Sequence, residues 1–149
     1  MDDRAKRELQ DYLKYRHSSN DFVDEVKKQR IYDFIYKNFS STFKDTLEEF
    51  IAKKGLTALY VYKKADLNRN IYSCIKKDQF YHVSKKTVLR FALALELDVA
   101  ESERLLNSAG FSFNRGNPFD LIIIYHIDNR FYDIISINGV LNDLLGIIL

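Results

Sequence analysis

Residues Lys63–Lys77 read KKADLNRNIYSCIKK, and the fold turns on how this stretch is interpreted. Its apolar residues fall in two groups around a polar break at Asp66 and Asn68. The spacing predicts two short helices joined by a tight turn. Thr57 caps the first, Ala58 to Ala65, which is expected to bury Leu59, Val61 or Tyr62, and Ala65. Asp66 sits at the turn, because Asp tolerates left-handed dihedrals better than most residues with a Cβ. Leu67 points inward, and Asn68 caps a second helix over about 69–77 with Ile71, Tyr72 and Ile75 on its inner side. Arg69, Asn70, Ser73, Cys74 and Lys77 then face outward. Such a segment either reads DNA bases or is a helical pair whose charges face water.

The same logic runs outward along the chain. Residues 2–16 are polar and helix-prone, with Leu9, Tyr12 and Leu13 at helical spacing. HSSN (17–20) breaks the pattern. Asn20 then caps a helix carrying Phe22, Val23, Val26, Ile31, Phe34 and Ile35. Thr42 and Asp45 have the capping-box form, and Phe43, Leu47, Phe50 and Ile51 repeat at helical spacing up to Gly55, which suits the left-handed position past a helix end. Beyond the linker DQFYHV, Ser84 caps a helix from Lys85 to Leu97. Asp98 and Glu101 open another that stops at Gly110. Asn117-Pro118 has the order of a cap and a first-turn proline. PFDLIIIYHI suits a buried helix or a buried strand; helix is the expectation, since no second strand-like run is available to pair with it. Asp133 caps a last helix bearing Ile134, Ile137, Val140, Leu141, Leu144 and Leu145.

Composition agrees with an all-α chain. Five Gly and one Pro in 149 residues are few for a turn-dense β protein, and 46% hydrophobic content supports one sizeable core. No wholly apolar run exceeds five residues, the length of Leu121 to Tyr125, which is far short of a membrane span. The charged N-terminus lacks a signal-peptide core, and a single cysteine suits a reducing compartment, so a soluble cytoplasmic protein is expected. The net charge of +2 is unevenly spread. Residues 53–90 carry ten basic and two acidic groups, whereas residues 1–52 sum to −1 and residues 91–149 to −5. A basic block of this kind is an electrostatic footprint for polyanions; a solvated basic face is the competing use.

Residues 55–110 resemble the phage-repressor, or Xre-like, helix-turn-helix family. The resemblance rests on Leu56-Thr57, on Ala65-Asp66-Leu67-Asn68 across the turn, on Tyr72-Ser73-Cys74-Ile75 in the second helix, and on Thr87-Val88-Leu89 with Ala92, Leu95, Leu97 and Asp98-Val99. The tail, FDLIIIYHIDNRFYDIISINGVL, is similar to a bacterial subgroup in which two further helices follow this domain. The resemblance implies a five-helix lambda-repressor-like domain over 41–110, preceded by an N-terminal helical arm (1–40) and followed by a helical extension (111–149) packed on it. The chain departs from the family at three places. Ala58 stands where a Gln usually buttresses a phosphate contact, Asp66 where the turn usually has Gly, and Tyr62 where a small residue lets the two helices approach.

On this reading Arg69 and Asn70 occupy the first turn of the recognition helix, where side chains of this motif touch base edges. Arg pairs with guanine and Asn with adenine, each good pair giving ~1–3 kcal/mol of discrimination. Ser73 reaches a base edge or phosphate, and Cys74 a thymine methyl. Lys63, Lys64, Lys76, Lys77, Lys85 and Lys86 suit phosphate contacts, which add affinity without sequence information. Lys85 and Lys86 also sit at a helix N-terminus, which attracts anions.

The expected function is therefore sequence-specific binding of double-stranded DNA as a transcriptional regulator. A homodimer is expected, since one recognition helix reads few base pairs. The arm (20–39) and the apolar tail LLGIIL are its candidate surfaces, with packing against the core as their alternative use. The other functional class is a protein-interaction module, a toxin or phage-defence partner that keeps the fold without reading bases. Ala58, Tyr62 and the acidic C-terminal third favour it. No enzyme is expected, because the chain has no phosphate-binding glycine loop, nucleophile elbow or carboxylate pair with an evident role. No cofactor or metal is expected either: His17, His82 and His126 lie far apart without ligands at metal-binding spacing.

Overall fold

A computed structural model describes residues 3–15 and 24–149, with only the main chain of Tyr15. The secondary structure of the described residues is helical, without strands. No helix among them is long and apolar enough to cross a membrane. The chain divides into two compact units, residues 1–41 and 42–149.

The first unit holds α1 (Asp3–Tyr15) and α2 (Glu25–Asn38). Asp24 caps α2, its carboxylate accepting from the Lys27 N–H at 2.8 Å, so this helix begins after Asp24. Asn20, expected to cap it, lies outside the described residues, as do Phe22 and Val23. No residue of α2 is buried, and Val26, Ile31 and Phe34 are exposed. Tyr32 and Tyr36 stack with ring centroids 6.4 Å apart, and the Lys6 ammonium lies 5.5 Å from the Tyr36 ring centre.

The second unit contains α3 (Phe43–Lys53), α4 (Ala58–Lys64), α5 (Arg69–Lys77), α6 (Lys85–Ala94), α7 (Val99–Ser108), α8 (Pro118–Asp128) and α9 (Ile134–Leu145). Local chemistry sets most of these starts. Thr42 and Asp45 form a reciprocal capping box on α3, and Asp98 and Glu101 form another on α7. The side chains of Thr57, Asn68, Ser84, Asn117 and Asp133 cap α4, α5, α6, α8 and α9. Gln79 ties the segment after α5 to the start of α3, donating to Thr42 Oγ1 at 2.7 Å and Asp45 Oδ1 at 2.8 Å.

Helix α6 is the hub: Thr87, Val88, Leu89, Phe91, Ala92, Leu93 and Ala94 are all buried. It stops at Ala94, earlier than the expected Leu97. Glu96 takes a left-handed φ of 52°, and the Glu96 and Leu97 N–H groups bond back to the Leu93 and Ala92 carbonyls. This turn closes α6 while keeping Leu95 and Leu97 in the core, and leaves Asp98 extended to cap α7. The PFDLIIIYHI segment is the helix α8; Phe119, Ile123, Ile124 and Ile127 join the same core as α3–α7, along with Ile134, Ile137 and Leu141 of α9. Val140, Leu144 and Leu145 of α9 remain exposed.

Candidate nucleic-acid interface

The interface candidate is built on α4, the turn Ala65–Asn68 and α5. Helix α4 buries Val61 and Tyr62, and the residue that caps its end, Ala65, is buried as well, whereas Leu59, expected inside, is 57% exposed. At ~100° per residue Leu59 lies about a third of a turn from the centre of the buried arc that those three residues define. The chain turns at Asp66, whose φ is 53°. The Asp66 and Leu67 N–H groups donate to the Lys63 and Tyr62 carbonyls, closing the end of α4. Asn68 then restarts the helix, its side chain accepting from the Ile71 N–H at 3.0 Å.

Tyr62 explains how the two helices pack without the small residue expected between them. Its ring meets that of Tyr72 edge-on at 4.1 Å and that of Phe91 at 5.0 Å, so aromatic contacts join α4, α5 and α6. Burial pushes the Tyr62 phenol pKa well above its ordinary value, with lesser contributions from Tyr72 and Glu48.

Helix α5 has two faces. Ile75 is buried and Ile71 and Tyr72 are half-buried, while Arg69, Asn70, Cys74, Lys76 and Lys77 are exposed and Ser73 is half-buried. The Lys76 ammonium lies 5.7 Å from the Tyr72 ring centre, and its main-chain carbonyl accepts from Lys44 Nζ at 3.0 Å.

The other lysines are not equivalent. Lys63 is exposed, and its side chain forms neither a hydrogen bond nor an ion pair among the described residues. Lys64 lies 3.7 Å from Glu96 and 5.9 Å from the Tyr60 ring centre. Lys86 is exposed, its ammonium 5.9 Å from the Phe119 ring centre. Lys85 is engaged inside the protein: its Nζ lies 2.6 Å from Oδ2 of Asp120, a residue only 1% exposed. The same oxygen accepts from the Asn114 N–H at 2.6 Å, while the buried Oδ1 has no hydrogen-bond partner among the described residues.

Two residues that matter here had no role assigned from sequence. Asp120 is one; a lone carboxylate in PFDLIII signals a buried partner, but nothing local identifies that partner as Lys85. Arg90 is the other. It donates to the Ala65 carbonyl at 3.2 Å, the Asp66 carbonyl at 3.4 Å and the Leu149 main-chain oxygen at 2.6 Å. It thereby holds the turn before α5 against α6 and the last residue. The Leu149 N–H in turn donates to Asn138 Oδ1 at 2.8 Å.

Among the histidines, His82 is exposed, His126 is buried with Nδ1 2.7 Å from the Ile122 carbonyl, and His17 lies outside the described residues. Among the described residues no group of three His, Cys, Asp or Glu side chains is placed to hold a metal. Comparison with family models, with curated proteins and with solved structures gives no match to this chain.

Proposed function

We propose that the protein is a DNA-binding transcriptional regulator of the cytoplasm, with α3–α7 serving as a five-helix repressor-like domain and α5 as its recognition helix. The division of α5 carries this reading: Ile71, Tyr72 and Ile75 face the core while Arg69, Asn70 and Cys74 face out. Arg69 and Asn70 lie in the first turn, which leads into the major groove in this motif. Lys63, Lys76, Lys77 and Lys86, all exposed, supply phosphate contacts. Lys64 contributes less while it faces Glu96, and Lys85 least, because Asp120 already compensates its charge. A homodimer would present two such helices, through the exposed apolar residues of α2 or of the tail.

Selection of bound fragments from genomic or random duplexes tests base reading. The expected result is an enriched sequence for the wild type, which Arg69→Ala and Asn70→Ala relax while non-specific affinity is largely retained. Enrichment unchanged in both variants would overturn these assignments.

The second reading is a protein-interaction module with the same fold. The Lys85–Asp120 pair favours it, since it withdraws a cation from the N-terminus of α6, where a phosphate would be expected to sit.

A further inference from the structure

The turns after α4, α6 and α8 each hold a left-handed residue that is not glycine: Asp66 at φ 53°, Glu96 at 52° and Arg130 at 56°. The turns after α3, α7 and α9 place Gly55, Gly110 and Gly146 in that conformation instead. A side chain with a Cβ is disfavoured there, and strained backbone collects at functional sites. All three charged residues line one groove of about 540 Å³, together with Lys63, Lys64 and Asp133.

The groove's acids already have counterparts. Glu96 lies 3.7 Å from Lys64, and Asp66 lies 3.7 Å from Arg90. Asp133 caps α9, accepting from the Ser136 N–H at 3.2 Å and the Ser136 hydroxyl at 2.6 Å. By contrast, the side chains of Lys63 and Arg130 form neither a hydrogen bond nor an ion pair among the described residues. Three cations (Lys63, Lys64 and Arg130) line the groove against three carboxylates (Asp66, Glu96 and Asp133), so its charge balances overall, while Lys63 and Arg130 are left without a direct ionic partner among the described residues. Arg130, Tyr132 and Asp133 also border a second hollow of about 360 Å³, which Phe131, Ile137 and Val140 line together with His126 and Ser136. Arg130, without a hydrogen bond or ion pair among the described residues, thus lines both a charged groove and a hollow with apolar residues in its wall.

We propose that these two cavities form one binding site for a small organic carboxylate. Arg130 takes the carboxylate, Lys63 adds positive potential, and the hollow takes the apolar body. A guanidinium fork matches a carboxylate in two-point geometry. The site lies within the second unit and does not depend on DNA binding.

Benzoate, with benzamide as its neutral match and benzylamine as its cationic match, is a suitable probe set for titration of the isotope-labelled full chain by NMR. Benzoate should give saturable shifts at the Arg130, Tyr132 and Ser136 amides, with the two matches weaker by about tenfold or more. Arg130→Gly, which suits the left-handed backbone and should keep the native spectrum, should abolish the benzoate shifts; Arg130→Lys should restore part of them. Absence of saturable shifts with benzoate, equal binding by benzylamine, or unchanged binding in Arg130→Gly would each overturn the proposal.

Discussion

Lys85 Nζ and Asp120 Oδ2 meet at 2.6 Å, joining the start of α6 to the buried face of α8. Asp120 is 1% exposed and only one of its oxygens is partnered among the described residues, and Lys85 is its one ionic partner there. Removing one member of a buried pair leaves the other charge uncompensated. Lys85→Ala should therefore destabilise the second unit by about 3 kcal/mol in urea denaturation. The double variant Lys85→Met/Asp120→Asn should recover most of that loss. A DNA-binding defect in Lys85→Ala alone would then report stability as much as phosphate contact.

Arg130 offers a stability change of the opposite sign. Its φ of 56° suits glycine, and its side chain makes no hydrogen bond or ion pair among the described residues. Arg130→Gly should stabilise the protein by about 1 kcal/mol, seen as a Tm rise of a few degrees. A lower Tm would mean that the side chain contributes packing beyond its charge.

Arg90 couples distant parts of the second unit. Arg90→Met keeps the stem but removes donors to the Ala65, Asp66 and Leu149 oxygens. A loss of about 2 kcal/mol is expected. Hydrogen exchange should quicken at Leu67 and at Leu149, whose amides belong to the turn and the tail that Arg90 holds.

Alkaline pH probes Tyr62. Its folded pKa is raised by burial, and that of Tyr132 is raised chiefly by burial too. Below the ordinary tyrosine pKa of about 10, both phenols are neutral in folded and unfolded chains, and their full contribution to stability is present. Above it the unfolded chain releases these protons first, so stability falls as pH rises. Tyr62→Phe should keep the contacts with Tyr72 and Phe91 and flatten the decline above pH ~10. An equal slope in wild type and variant would contradict this account of the buried phenol.

The helices were legible where their determinants are local. Thr57, Asn68, Ser84, Asp98, Asn117 and Asp133 each act within about one turn of themselves, so residue type and spacing suffice to place the helix starts. The outward positions of Arg69, Asn70 and Cys74 follow from the same periodicity. Contacts between remote residues were not legible. Lys85 reads as a surface cation because Asp120 is 35 residues away, and Arg90 meets Leu149 across 59 residues. The end of α6 at Ala94 is hidden for a related reason: Leu95 and Leu97 continue the apolar pattern, but they enter the core through a turn at Glu96. Leu59, Tyr62 and Ala65 share helical spacing that suggests one inward face, whereas the packing of Tyr62 against Tyr72 and Phe91, with Val61 buried beside it, leaves Leu59 outside.

The proposal that α5 and its lysines engage DNA is tested most directly by the affinity of the full chain for a short mixed-sequence duplex, measured by fluorescence anisotropy across salt concentrations. The expected result is tight binding at low salt that weakens steeply as salt rises, with the log–log slope reduced by about one for each of Lys76→Ala, Lys77→Ala and Lys86→Ala. Absence of binding at low salt, or slopes unchanged in all three variants, would contradict it.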